Sequence, residues 1–528
     1  MQSETKASQA RKEHDFMEKQ AMAQSVDKNN VADLITEAVE HSFRNSGHKN
    51  KIYRNCIERL VKCSKSAIIN GNMFSAFSEY FIRYLSIAAA RGDNIIFVCN
   101  TDAEIELTYD FLVRKFSEIT SLHCNDSTGE INFDDPIWKM MYKHIAVANA
   151  ILVNADQFKD DELYNKIKGE AYFIRAVNYF ELVNLYALPY VKATATTTLG
   201  IPLKLTNYVE DRYFSRSPID SVYHVIVHDL QMAASLLKGV EQPSVFRANA
   251  TAANALLSRV YLYMGEYEKA VQACDSVLED SRYVLFNMNG QEPTASFTKL
   301  ATSEIIFSQG GYTTPQQSAY FLKTYFFGCS SVLRDLYIDK DLRKKIFFKE
   351  SSSGRAITYS NKIGVNDVKP VSDWGMIRLA EVFLNKAEAQ ALLGNESDAI
   401  NTLQDLQKMR YSEIPEFAGS GLELIEFIRT ERRLELCFEG HRWFDLRRYS
   451  VCPKYPSTQE IIHVVHEYTT REVPTEIYKL AAYNVDNRGW VLPIPGYTIT
   501  FNGVIMIQNE REESKKYEYI ASEHEKYD

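Results

Sequence analysis

The chain has 528 residues, 45% of them hydrophobic and 24% charged, with a formal net charge of −9. That length exceeds the roughly 250–300 residues at which one core stops growing, so two lobes are expected. No run reaches the roughly 20 apolar residues of a membrane span, and the acidic balance speaks against nucleic acid as a partner, because phosphate binding needs clustered Lys and Arg.

Met1–Asn30 is polar and charged, lacks an apolar signal-peptide core, and reads as a flexible tail. Either the protein is cytoplasmic or its numbering begins after processing or trimming. From Val31 to Phe116 the pattern is mostly helical, including Asn55–Ile69 and Ser75–Ala90, with one short strand-like run at Asn94–Cys99. The polar stretch Asn125–Asp135 leads into a helix over Trp138–Ala150. Lys166–Leu188 predicts a strong helix, with Phe173, Val177, Phe180, Val183 and Leu185 near the 3.6-residue period and Pro189 as its stop. A loop over Thr194–Gly200 precedes another helix, Asp220–Leu237.

Ala252–Met264, Gly265-Glu266-Tyr267 and Glu268–Leu278 read as helix, tight turn, helix. The pattern returns as Met376–Leu393, Gly394-Asn395-Glu396 and Ser397–Met409. Gly265 and Gly394 end the first helices in left-handed geometry, and Ala270 and Ala399 let the second helices pack closely. Such hairpins resemble tetratricopeptide repeats. Between them, Arg282–Asn366 is irregular, with a strand-like run at Glu304–Ser308 and a crowd of aromatics, Tyr312, Tyr320, Phe321, Tyr325, Phe326 and Phe327. After Tyr449 the chain turns irregular again and reaches Trp490–Pro495.

Motifs for catalysis are sparse. There is no P-loop, no GxGxxG after a strand, no GxSxG and no HExxH. His463 and His466 have helical spacing, but Ile461–Tyr468 is rich in β-branched residues, so a strand is expected and no metal site. The 8 cysteines are scattered, without a CxxC pair, so buried thiols are the default and the compartment stays open. Glu431, Glu435 and Glu439 are four residues apart in an expected helix, interleaved with Arg432, Arg433 and Arg442. Opposite charges at such spacing support a helix, so these carboxylates, with Asp445, Arg447 and Arg448, read as structural ion pairs. No cofactor is expected.

The blocks in order resemble one family. Ile428–Tyr449, IRTERRLELCFEGHRWFDLRRY, looks like the C-terminal signature of the SusD/RagB proteins of Bacteroidetes. Gly169–Tyr190 is similar to the family's GEA-x-F-x-R-A helix, and Trp138–Asp156 to its W-x-x-x-Y helix. Ala248–Leu278, Ile377–Met409 and the closing Leu492–Pro495 resemble further family elements. The resemblance covers about residues 135–510, while residues 1–130 match poorly; the first cysteine is Cys56, so the family's usual N-terminal lipid anchor is absent from this numbering.

The resemblance implies a mainly α fold, with tetratricopeptide-like hairpins forming a scaffold and a loop-rich variable lobe containing short strands. The expected division is a tail at 1–30, an N-terminal helical part at 31–280, the variable lobe at 281–370, a helical-repeat part at 371–450 and an irregular region at 451–528. The resemblance also implies a lipid-anchored protein of the outer-membrane surface that binds oligosaccharide or peptide nutrient without cleavage. It would work with a SusC-like TonB-dependent transporter. A helical-repeat adaptor binding only proteins is the alternative, and a hydrolase a third reading. Tyr has an apolar face and a polar tip, suited to stacking on sugars, and loops on a rigid scaffold concentrate binding residues. Tyr312, Tyr320 and Tyr325 are therefore the candidate ligand contacts, with Trp374 beside them; Phe321, Phe326 and Phe327 read equally as core.

Overall fold

A computed structural model describes residues 136–309, 329–350, 358–362, 375–466, 474–510 and 516–524, with residues 68–69 and 96–97. Contacts divide the chain into two units, Met1–Ile131 and Asn132–Asp528. In the first, β1 (Ile68–Ile69) pairs in parallel with β2 (Ile96–Phe97). The strand expected within Asn94–Cys99 is thus present, and its partner closes a run that reads as helix in sequence.

The second unit buries its apolar faces by stacking helices. Helix α1 (Pro136–Asn154) packs on α2 (Tyr164–Tyr186), α2 on α3 (Ile219–Leu236), α3 on α4 (Ala250–Met264) and α4 on α5 (Tyr267–Leu278). The row continues from α5 to α6 (Leu379–Leu393), which packs on α7 (Glu396–Gln407) and α8 (Leu422–Glu435). Helices α9 (His441–Ser450) and α10 (Gly496–Asn502) complete the larger elements.

The two sequence hairpins are α4–α5 and α6–α7. Asn249 starts α4 by accepting a bond from the Ala252 amide at 2.8 Å, an N-cap that satisfies one orphan donor. Gly265 and Gly394 end α4 and α6 at φ 74° and 88°, where a Cβ would crowd the following carbonyl. Ala270 and Ala399, one turn into the second helices, are fully buried. Helix α6 begins three residues later than its sequence pattern, because Ile377–Arg378 forms β6, antiparallel to β3 (Ile305–Phe307).

Helix α2 departs from a one-sided stripe. From Gly169 to Tyr186 all but Tyr172 and Ile174 are buried, including Glu170, Arg175, Asn178, Glu181 and Asn184. A helix flanked by α1 and α3 has no solvent face to spare, so each polar group needs a partner. The GEA-x-F-x-R-A motif follows from this. A Cβ on Gly169 would meet Leu237 Cγ at 2.6 Å. Glu170 accepts from Arg247 Nε at 2.9 Å, and Arg175 grips Asp229 at 2.7 and 2.8 Å. Phe173 meets Phe307 edge-on, with ring centroids 4.8 Å apart.

The remaining strands are small. β4 (Phe348–Glu350) pairs with β5 (Thr358–Ser360), and β7 (Ile461–His466), β8 (Pro474–Leu480) and β9 (Lys516–Glu518) form an antiparallel sheet in that order. His463 and His466 therefore lie on a strand, where three-residue spacing does not stack side chains as a helix would. Among the described residues no helix is long and apolar enough to cross a membrane.

Candidate functional site

The C-terminal signature is not one helix. Helix α8 stops at Glu435; Phe438 and Gly440 adopt φ 62° and 78°, and α9 starts at His441. Continuous apolar spacing hides this break in the sequence. What permits it is capping from distant segments. Tyr337 donates to the Leu434 carbonyl at 2.7 Å, Arg378 Nη2 to that of Glu435 at 2.6 Å, and Lys362 Nζ to those of Glu435 and Cys437 at 2.7 and 3.0 Å. The helix-terminal carbonyls of α8 are thereby satisfied away from water.

Glu431, Glu435 and Glu439 pair over long range rather than with their interleaved arginines. Glu435 binds Arg343 at 3.1 Å, Arg378 at 2.7 Å and Arg410 at 3.0 Å. Glu431 binds Arg343 at 2.6 Å, and Glu439 binds Arg378 at 2.8 Å and Lys362. Glu304 joins from the start of β3, bridging Arg378 and Arg410 at 3.2 and 2.5 Å. Burial alone would raise the Glu435 carboxyl, but Arg410, Arg378 and Arg343 outweigh it and hold it well below the usual carboxylate range. On the other side, Arg432 grips Asp445 with both contacts at 2.9 Å, and Arg448 takes Glu388 at 2.7 Å twice. Every one of these carboxylates is paired with buried cations.

Arg447 has another task. It donates to the carbonyls of Asn184 and Ala187, while Arg216 and Asn509 donate to that of Tyr186 at 3.1 and 2.7 Å. The Leu492 amide takes the Leu185 carbonyl at 2.9 Å. The last carbonyls of α2 are thus capped by α9, the loop before α3 and the Leu-Pro-Ile-Pro segment together. Burial without a carboxylate partner pushes Arg447 and Arg216 down to about 10.

Tyr312, Tyr320, Tyr325 and Trp374 lie outside the described residues. The described residues bounding their segments are informative. Strands β3 and β6 pair, and the Gln309 side chain lies where a Cβ on Gly375 would sit, 2.5 Å from its Nε2. Gln309 and Gly375, the described residues flanking positions 310 and 374, are thus neighbours, while Tyr337, Arg343 and Lys362 from between them bind α8 and the break after it.

Two features escaped the sequence reading. The first is a surface. Tyr208, Tyr213 and Phe501 are 63%, 66% and 72% exposed, with Leu205, Val209, Ile505 and Ile507 exposed beside them in sequence. The loop holding the tyrosines is set by Lys204, which binds the Tyr208 carbonyl and Glu210 at 2.6 Å each, and by Arg212, 4.4 Å over the Phe214 ring. Lys204, Thr206 and Arg212 hold Glu210 down at about 2. The Phe214 amide donates to Asn502 Oδ1 at 2.7 Å, tying this loop to α10. The second is a small cavity between α2, α4 and the break in the signature, lined by Glu181, Arg259, Tyr263, Met376, Glu439 and His441 among others. Neither has a short-range sequence signal, because each assembles residues hundreds of positions apart.

Stacked hairpins crossed by a buried arginine–carboxylate network define a helical-repeat scaffold carrying an inserted lobe. Two family descriptions match: "Starch-binding associating with outer membrane", SusD-like, over residues 96–262, and "SusD family" over residues 356–511. SusD-like protein P2 of Formosa agariphila is 25% identical, over 74% of this chain and 83% of its own. A SusD superfamily protein of Bacteroides thetaiotaomicron superposes with a TM-score of 0.58 at 25% identity, covering 71% of this chain and 85% of that one. A putative sugar binding protein of Bacteroides vulgatus gives 0.55 at 27% identity, with 71% and 84% covered. The chain belongs to the SusD/RagB family.

Proposed function

We propose that this protein captures oligosaccharide, or another nutrient such as peptide, at the outer-membrane surface without cleaving it and passes it to a SusC-like TonB-dependent transporter. One observation carries the reading to a site. The aromatic stretch Gly311–Phe327 falls in the gap between the two family matches, residues 263–355, and Gln309, just before it, lies against Gly375, the residue after Trp374. A variable insert on a fixed scaffold is where ligand specificity is built. The buried pairing of Glu431, Glu435, Glu439 and Asp445 supports binding over catalysis, since glycoside hydrolysis needs two carboxyls across a cleft. Membership of a family described as starch-binding supports a glycan.

Titration of Tyr312→Ala, Tyr320→Ala and Tyr325→Ala proteins with a glycan selected on an array tests the site. At least one variant loses affinity about fivefold or more, as loss of a stacked ring worth about 1 kcal/mol or more requires. Three folded variants that bind like wild type overturn the assignment. The second reading is a helical-repeat adaptor that binds protein alone. The exposed Tyr208, Val209, Tyr213 and Phe501 favour it, because soluble monomers rarely present such apolar surface without a partner. Binding to no array glycan, with loss of a protein partner in Tyr213→Ala and Phe501→Ala, would favour this adaptor.

A further inference from the structure

The cavity beside the signature break contains polar groups that the scaffold does not satisfy. Glu181 on α2, Tyr263 on α4 and His441 at the start of α9 are 8%, 8% and 6% exposed and all line it. No described group hydrogen-bonds the Glu181 carboxyl, the Tyr263 hydroxyl or the His441 ring. The neighbouring cation is paired elsewhere: Arg259 gives Nε and Nη2 to Glu381, each at 2.6 Å, and Nη2 also reaches the Met376 carbonyl at 3.3 Å. Glu439 is likewise held by Arg378 at 2.8 Å and by Lys362. A buried carboxylate left without a partner is costly, and a polar cavity of this size is filled by water that makes about three bonds.

We propose that this cavity is a built water site, in which Glu181 is kept as the neutral acid and donates through bound water to His441, fastening α2 to the signature break. The Glu181 proton stays on its carboxyl oxygen; water accepts that bond and donates to an unprotonated imidazole nitrogen. Ionisation of Glu181 removes the donor and leaves a charge facing neutralised neighbours, so the joint loosens. Nothing in this inference depends on the ligand-binding reading.

The electrostatics agree with the geometry. Burial raises the Glu181 carboxyl to about 7, opposed by Arg259. Burial, Arg259 and Arg432 push His441 well below its ordinary value, against Asp445 and Glu439, so its ring is neutral. The charged and titratable groups facing the pair are therefore Arg259 and Tyr263 from α4, Glu439 from the break, Arg432 from α8, Asp445 from α9 and, behind Arg259, Glu381 from α6. For Glu181 the folded state holds its proton more tightly than the unfolded chain. Its contribution is complete below the ordinary carboxyl value near 4.5 and is lost as pH rises through about 7.

The test compares thermal unfolding of full-length wild type and Glu181→Gln from about pH 5 to about pH 8.5. Gln keeps the donor and cannot ionise. The variant is expected to match wild type at the acid end and to exceed it by a few degrees at the alkaline end. An offset that is the same at every pH overturns the proposal. Infrared spectroscopy gives a second reading independent of stability: a protonated-carboxyl C=O band in wild type at mildly acidic pH that vanishes in Glu181→Gln. Identical spectra in that region overturn it as well.

Discussion

Glu435 receives three guanidinium groups while having no contact with water. Removing its charge leaves Arg343, Arg378 and Arg410 sharing Glu304, Glu431, Glu439 and Asp341. Uncompensated buried charge of this kind costs about 3–5 kcal/mol. Glu435→Gln is therefore expected to lower the unfolding free energy by that amount near neutral pH, with affinity for ligand preserved in the folded fraction. The pH dependence has a definite sign. The folded carboxyl sits well below its ordinary 4.5, so its stabilisation is present above 4.5 and is lost as pH falls toward the folded value. Wild type and variant should then converge on acidification. A deficit that stays constant through the acid limb, measured by urea titration at several pH values, would show that the charge is not what Glu435 contributes.

At the scale of elements, the two hairpins were legible because their information is local. A glycine in left-handed geometry and an alanine five residues on are enough to specify a tight αα turn, and Gly265/Ala270 and Gly394/Ala399 supply both. Ala270→Leu and Ala399→Leu should each overpack a filled contact and cost about 1–3 kcal/mol, read as a lower unfolding temperature. Unchanged unfolding in both would mean that the second helices do not rely on close approach there. The break after α8 was not legible. Leu434, Cys437 and Phe438 continue an apolar helical spacing across it, and the groups that cap the helix end, Tyr337, Lys362 and Arg378, lie 97, 73 and 57 residues from the carbonyls they bind. Pairing of Glu431, Glu435 and Glu439 was misassigned for the same reason. Interleaved arginines three residues away look like partners in sequence, whereas the fold delivers Arg343, Arg378 and Arg410 from other segments.

Across the whole molecule, the long-range arginines tie the family blocks to one another. Each motif is one arm of a network: Glu170 and Arg175 join α2 to its neighbours, Arg259 and Glu381 join the two hairpins, and Arg447 with Leu492 closes the end of α2. Arg343 and Lys362, from the stretch between Gln309 and Gly375, belong to the same network. The family was readable from the blocks in order; Tyr312, Tyr320 and Tyr325 were singled out only as residue types suited to sugars and lie outside the described residues. The central claim is capture without cleavage. It is tested most directly by calorimetric titration with an array-selected oligosaccharide, followed by chromatography of the sugar recovered after prolonged incubation. The account predicts saturable binding at about one ligand per chain and recovery of the sugar at its original length. Shortened product that accumulates with time and protein concentration would contradict it.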